Sequence, residues 1–533
     1  MTRSVSTSLL LLLALLGTAV AQQKPEVDKD PARTFFQKGA IVRVHIKLEP
    51  AERQKLREKA RVYAAASLQL DGDDMGKVAI KLKGAAGSFR EIDDRPGFTV
   101  HLGKLGGEHR LHGLQRFHLN NGAQDESRLC EWLGHEVFAA AQYPAPRVAH
   151  AHVWLDGQDL GVYVLRESFD KQFLLRAFGS SAGNLYDGGF CQDIDQNLEK
   201  DSGDGPDDHA DLKALRELCA DVDGKREDPL AAAIDIVAFV DFAALESMLQ
   251  HWDGYTRNAN NFRLWMPTGG KLSFLPHGMD QLFGDSDASV LDHPPTIVAS
   301  AVMQQPTFRK RYRERLRALL PMFAPARWQP RLEAMADKLQ KELRTISADA
   351  VRSHADAVRD LEARLMARYQ SLERQVKAPE PKPLPLAIGK SVPLKAWNPA
   401  AETDRVELAK KSFQGVTALH VHCLDRGDEP RRGIWRTHVL LGKGRYQLRG
   451  IARCEGIVPP AKDGDGNEHG GAVLRVDGST SERLHGDRNW QALVCDFEVG
   501  EFQRSVELAC DVQAFLGRAW FRFDSLQLAR LPD

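Results

Sequence analysis

The sequence predicts an α+β region followed by a C-terminal all-β sandwich, on three observations. Alternating strands surround a single helix in the first third of the chain, and helical periodicity then dominates to about Val376. Past a proline-rich break, short alternating strands with Gly and Asp turns run to the end. A chain of 533 residues, 43% hydrophobic and 27% charged, has room for two or three cores. Its 72 basic and 73 acidic side chains leave a net charge of −1, so no nucleic-acid partner is expected.

The first residues, "MTRSVSTSLLLLLALLGTAVAQQ", have one Arg, an apolar run from Leu9 to Leu16, and Ala19-Val20-Ala21 before Gln22. This is the layout of a signal peptide cleaved after Ala21 (residues 1–21), and it predicts a secreted, periplasmic or envelope protein. No later stretch approaches the ~20 apolar residues of a membrane helix, so no transmembrane anchor is expected after cleavage. The seven cysteines show no CxxC pattern, which argues against a structural metal cluster; export allows one or two disulfides among Cys423, Cys454, Cys495 and Cys510.

"IVRVHIKL" from Ile41, "VAIKLKG" from Val78 and "FTVHL" from Phe98 alternate as strands with one wet face. His152 to Glu167 reads as a hairpin about Asp156-Gly157. Leu129, Leu133, Val137 and Ala140 have helical spacing, which predicts an antiparallel sheet with one helix packed on it. "DFAALESMLQ" is expected to be a helix capped by Asp241 that delivers the chain to His251. Phe308, Tyr312, Leu316 and Leu319 stripe a further helix whose other faces are basic, either solvated or docking phosphate. "KAPEPKPLPLAIG" has four prolines and reads as a linker, residues 378–389, before the sandwich of residues 390–533.

The stretch "HWDGYTRNANNFRLW" contains the pattern that carries chemistry. Asp253 is followed by Asn258, Asn260 and Asn261, then a predicted β-hairpin, then Asp280 in "HGMDQLFG". Phosphoryl transfer calls for these types: a carboxylate to orient or deprotonate the attacking hydroxyl, and a carboxamide oxygen plus a second carboxylate to hold Mg²⁺ on the phosphates. The Asp-x-x-x-x-Asn spacing also occurs in protein-kinase catalytic loops.

That stretch, "LSFLPHGMDQLFGD", "KLKGAAGSFREIDDRPGFTVHL" and "LGVYVLRESFDKQFL" with "GNLYDGG" together resemble the CotH-type kinases, atypical secreted protein kinases associated with spore coats. The resemblance implies a two-lobed, protein-kinase-like region over residues 34–377, with an N-lobe of about 34–170 and a C-lobe of about 171–377. It implies ATP as co-substrate, Mg²⁺ or Mn²⁺ as cofactor, and protein acceptors with Ser or Thr hydroxyls. Asp253 is then the base or orienting residue, with Asp280 and Asn258 as metal ligands and Asn261 as second choice. Lys81, Lys83, Arg90 and Arg95 are expected to face the ATP phosphates. Glu131 or Glu136 would orient one of them, and Glu167 lie near the nucleotide. Where many members carry Trp-Asp-x-Asp, this chain has His277-Gly278-Met279-Asp280, so one carboxylate is absent.

Two alternatives stay open. One is a catalytically inactive, kinase-shaped scaffold whose sandwich binds carbohydrate through Trp397, Trp435 or Trp520, although core tryptophans are the commoner outcome. The other is a metal-dependent hydrolase on the same acidic loop. A Ca²⁺ site at Asp193 and Asp195, and zinc at His251, His277 and His293, are weaker readings.

Overall fold

The computed structural model describes residues 30–39, 41–220, 226–401, 403–413, 415–424, 429–460 and 470–532. The expected leader lies outside them. Seven strands form a closed barrel: β1 (Ile41–Lys47), β2 (Ala64–Leu70), β3 (Asp73–Lys83), β4 (Gly97–His101), β5 (Arg116–Asn120), β6 (Val148–Leu155) and β7 (Gln158–Glu167), in the order β1-β2-β3-β4-β5-β7-β6. Parallel pairing of β1 with β6, from Ile41↔His150 to Ile46↔Leu155, closes it. The open layer expected from the alternation is therefore corrected. One face of every strand is sealed inside around Val44, Leu68, Ile80, Phe98, Phe117 and Leu165, and no interior sheet edge remains.

The helix Cys130–Ala140 forms where its spacing predicts. Its buried Leu133, Val137 and Phe138 join a second core, not the barrel interior. That core gathers a four-stranded antiparallel sheet, β11 (Ser273–Pro276), β10 (Phe262–Pro267), β8 (Gly183–Asp187) and β9 (Glu199–Ser202), with helices Ile236–Leu249, Pro306–Leu319, Pro325–Leu343 and Ala348–Gln375.

Helix Ile236–Leu249 starts earlier than expected. Asp235, not Asp241, accepts from the backbone of Ala238 (3.1 Å). Ile236, Phe239 and Val240 are buried, with Val237 left exposed, and their burial draws the helix start upstream. Asp241 instead holds Arg315 at 2.6 and 3.0 Å. Three more basic side chains of Pro306–Leu319 are tied down as well, while Lys310 and Arg311 stay exposed: Arg309 and Arg313 pair with Glu380, and Arg317 donates to the carbonyl of Val376. These arginines fasten the following segment to the helical core, so the phosphate-docking reading has no free cations at those positions.

The C-terminal region is β-rich. β12 (Ser391–Pro393), β13 (Asn398–Ala401), β14 (Val406–Phe413), β15 (Val416–Cys423), β16 (Arg431–Val458), β17 (Gly471–Val476), β18 (Ser479–Thr480), β19 (Gly486–Ala514), β20 (Leu516–Arg522) and β21 (Gln527–Arg530) form one hydrogen-bonded network. The long β16 and β19 pair antiparallel along most of their length, and alternate residues such as Leu448, Val506, Leu508 and Phe521 make a third core. All seven cysteines are free, so the anticipated disulfides are not formed; Cys423, Cys454, Cys495 and Cys510 serve as buried small hydrophobes. Trp397, Trp435 and Trp520 are buried too, the first two donating to the carbonyls of Leu394 (3.0 Å) and His420 (3.1 Å). None of the three is a free platform for sugar. No helix among the described residues is long and apolar enough to cross a membrane.

Candidate functional site

The strand period of two sets one wall of the site. With Leu82, Phe98, Val100, Phe117, Leu119 and Leu165 inside the barrel, Lys81, Lys83, Thr99, His118, Asn120, Val164 and Arg166 fall on the opposite face. Register aligns Lys81, Thr99, His118 and Arg166 in one row across β3, β4, β5 and β7. In the next row Lys83 lies opposite Gly97, and its ammonium crosses this glycine to reach the Asn120 carboxamide oxygen. A Cβ on Gly97 would sit 3.2 Å from Lys83 Cγ, so the small residue keeps that path open. Asn120 Nδ2 donates in turn to Glu131 Oε2 (2.5 Å), in the first turn of helix Cys130–Ala140. The Asp125 carboxylate accepts from the backbone N of Cys130 (2.9 Å) and fixes where that helix begins.

The facing wall is the loop after helix Ile236–Leu249. Asp253 Oδ1 accepts from Asn258 Nδ2 (2.8 Å), and Oδ2 accepts from Asn260 Nδ2 (2.9 Å) and Asn261 Nδ2 (2.8 Å). Three carboxamides thus fix one carboxylate, and their own oxygens are kept as neutral acceptors. The buried Glu246 carboxylate accepts from the backbone N of Tyr255 (3.1 Å) and Thr256 (2.9 Å), pinning the short helix Tyr255–Asn258. β10 and β11 then return the chain to His277–Asp280. Gly278 has φ +65°, and a Cβ there would fall 2.3 Å from Asn261 Oδ1. The Asn261 carboxamide occupies the space that a side chain at position 278 would enter.

Both walls enclose a cavity of about 860 Å³, bordered also by the turn Gly84–Ser88. Burial, then the Arg166 charge, lowers Lys83 to about 8, while Glu131 and Asp280 pull the other way. Burial, reinforced by Glu131, pushes Asp280 up to about 7. Burial keeps His118 and His277 far below the usual histidine range, with Arg166 next in effect at His118 and Arg263 at His277. His277 Nε2 takes the Arg263 guanidinium at 2.7 Å as neutral acceptor. Arg166 Nε and Nη1 and Glu131 Oε1 are buried without a hydrogen-bond partner, Nε standing 3.4 Å from Oε1. A guanidinium ion-paired with Glu131 but short of hydrogen-bond acceptors, beside a half-buried lysine, suits an anionic ligand. The hard oxygens of Asp280, Asn258 and Asn261 suit Mg²⁺ or Mn²⁺, which take few carboxylates when phosphates and water complete the shell. No group of three or more His, Cys, Asp or Glu that could hold a metal by itself occurs among the described residues.

The cavity brings together Lys81, Lys83, Glu131, Asp253, Asn258, Asn261 and Asp280. Arg90, Arg95 and Glu167 are not brought there. Arg90 donates to the carbonyls of Gly87 and Phe89; Arg95 donates to that of Val162 (2.6 Å) and stacks on Tyr163. Glu167 is held by Arg147 and Arg176, and Glu136 pairs with Arg331. Asn120, Arg166, His118 and Glu246 went unseen in the sequence; strand parity, which sends Arg166 to the Lys81 row and Glu167 away from it, was the available signal for the first three. Asp193 accepts from the backbone N of Ile297 (2.8 Å) and from Tyr255 Oη, which makes it a structural tie between segments.

A family model described as CotH kinase protein matches residues 80–349, just over half of the chain. No curated protein matches. Among solved structures, the enzymatically active domain of bacteriophage CBA120 tailspike protein 4 matches with 10% identity and a TM-score of 0.17, over 25% of this chain and 19% of its own. TmCBM61, solved in complex with β-1,4-galactotriose, matches with 13% identity and a TM-score of 0.15, over 26% of this chain and 90% of its own. The CBM22-1 xylan-binding domain from Paenibacillus barcinonensis Xyn10C matches with 12% identity and a TM-score of 0.17, over 27% and 94%. TM-scores this low carry no functional argument.

Proposed function

The chain belongs to the CotH kinase protein family, and from that premise we propose that it transfers the γ-phosphoryl group of ATP to Ser or Thr hydroxyls of secreted or envelope proteins. The observation that supports this most is the single cavity in which a half-buried lysine, tied through Asn120 to Glu131, faces Asp253 and Asp280. Lys83 and Arg166 bind and orient the phosphates, and Glu131 keeps Lys83 in place through Asn120. Asp253 orients the acceptor hydroxyl. Three of its roughly four acceptor sites are filled by carboxamides, which leaves one for a hydroxyl and makes it a positioning group more than a strong base. Asp280, Asn258 and Asn261 would hold Mg²⁺ or Mn²⁺, which supplies charge neutralisation at the phosphates. The barrel wall and the turn Gly84–Ser88 border the cavity. The two-lobed arrangement, with a C-terminal sandwich beyond residue 389, belongs to this reading, as does export by a leader at residues 1–21.

The second reading, a kinase-shaped scaffold without chemistry, draws on one observation: the Asn261 carboxamide, not a second carboxylate, stands against Gly278. Incubation with γ-labelled ATP, Mg²⁺ and mixed acceptor proteins, followed by acid hydrolysis, separates the two. Label in phosphoserine or phosphothreonine supports the kinase; absence of label with every acceptor, with either metal, supports the scaffold.

A further inference from the structure

One face of the C-terminal sheet takes no part in its core. β20 sends Ala519 and Phe521 inward and β16 sends Ala452 and Cys454 inward, which leaves Arg518 and Trp520, and Arg453 and Glu455, on the other side. Register places His420, Trp520 and Arg453 in one row across β15, β20 and β16. A bulge extends the row into β19: Ala452 pairs with Gln491, but Cys454 pairs with Arg488, and the surplus residue lets Trp490 approach Arg453. Phe413, at the end of β14, has its ring centroid 4.8 Å from Trp520 and 6.5 Å from Trp490. The Arg453 guanidinium stands 4.5 Å from the Phe413 centroid, 5.3 Å from Trp520 and 5.9 Å from Trp490.

Trp520 is covered by this packing, whereas Trp490 and Phe413 are partly exposed. Glu455 pairs with Arg453 and with Arg518 (3.2 Å), so the polar rim sets planar donors and an acceptor side by side, the one carboxylate standing between two guanidinium groups. Arg453 Nε and the Nδ1 of His420, a residue only 4% exposed, are buried there without hydrogen-bond partners. An aromatic platform edged by guanidinium and carboxylate matches a ring with an apolar C–H face and equatorial hydroxyls. A polyanion would meet the Glu455 carboxylate, and both guanidinium groups are already engaged by it.

We propose that this face binds a neutral polysaccharide, with Trp490 and Phe413 stacking on sugar rings and Arg453 and Glu455 bonding to hydroxyls. The site shares no residue with the kinase cavity, and either can fail alone.

The test is native affinity electrophoresis of the full chain in gels containing hydroxyethylcellulose, xylan, β-1,4-galactan or, as the anionic control, polygalacturonate. At least one neutral polymer should retard the protein. Trp490→Ala and Phe413→Ala should each weaken that retardation roughly tenfold, and Trp490→Phe should retain most of it. Glu455→Gln, which preserves shape, should weaken it while leaving the melting temperature in place, and so keeps the test valid should an aromatic variant misfold. No retardation by any neutral polymer overturns the proposal. So does retardation that survives in folded Trp490→Ala and Phe413→Ala, or retardation by polygalacturonate alone.

Discussion

Replacing Lys83 with Met should stabilise the protein and weaken ATP binding together. Lys83 is lowered from the ordinary 10.5 to about 8, chiefly by burial. At neutral pH that drop is worth about 3 kcal/mol against the charged folded form. Water reaching part of the side chain, and loss of the bond to Asn120, reduce the net gain on substitution to about 1–2 kcal/mol. Methionine has nearly the same length and no charge to desolvate, so the expected rise in melting temperature is about 1–3 °C for a region of this size. The pH dependence carries its own signature. The folded state releases this proton near 8 and the unfolded state near 10.5, so wild-type stability rises with pH across that interval. The advantage of the variant should therefore be full below pH 8 and vanish by pH 10.5. Loss of a charge-assisted contact to phosphate should weaken ATP binding about 10–100-fold. Thermal unfolding across pH and titration calorimetry with ATP and Mg²⁺ measure both effects. A variant that melts lower than wild type at pH 7 and binds ATP as tightly would refute the assignment of Lys83 as a desolvated phosphate-binding lysine.

The asparagines around Asp253 should behave differently from one another. Asn260 is buried, so Asn260→Ala should destabilise by about 1–3 kcal/mol in chemical denaturation, while the exposed Asn258→Ala should change stability by under about 0.5 kcal/mol and reduce phosphoryl transfer instead. Gly278→Ala should cost about 1–3 kcal/mol in the same assay, from a side chain at positive φ and from its clash with Asn261, and should weaken Mg²⁺-dependent ATP binding. Asp280, pushed up to about 7 mainly by burial, holds its proton more tightly folded than unfolded, so metal-free stability should fall as pH rises from about 4 to 7. Mg²⁺ needs the ionised carboxylate, so Mg²⁺-dependent ATP affinity should drop about tenfold for each pH unit below 7. Asp280→Asn should flatten that profile.

Alternation in "VAIKLKG" and "FTVHL" was enough to mark Lys81 and Lys83 as sharing a face opposite a core, and the structure keeps them there. β2 is alanine-rich and β5 is short, so neither announces itself; without them the barrel reads as an open layer. Parity separates Arg166 from Glu167 once β7 is known to be a strand, yet charge type alone favours the wrong residue. Arg90 and Arg95 lie in a turn where no period applies, and their contacts with Gly87, Phe89 and Val162 are set by tertiary packing. The order Asp253, Asn258, Asn261, Asp280 was legible. That the three carboxamides clasp the aspartate itself was not, because spacing does not say which way an asparagine turns. The aromatic row on the C-terminal face depends on register across five strands and on a bulge, neither of which a strand pattern reveals.

The most direct measurement is transfer of label from γ-labelled ATP by the purified protein with Mg²⁺ or Mn²⁺, beside Asp253→Ala and Asp280→Asn. The cavity geometry predicts label on the wild type or an acceptor protein and a loss of at least about a hundredfold in both variants. Transfer that persists in both folded variants would contradict the central role given to those two carboxylates.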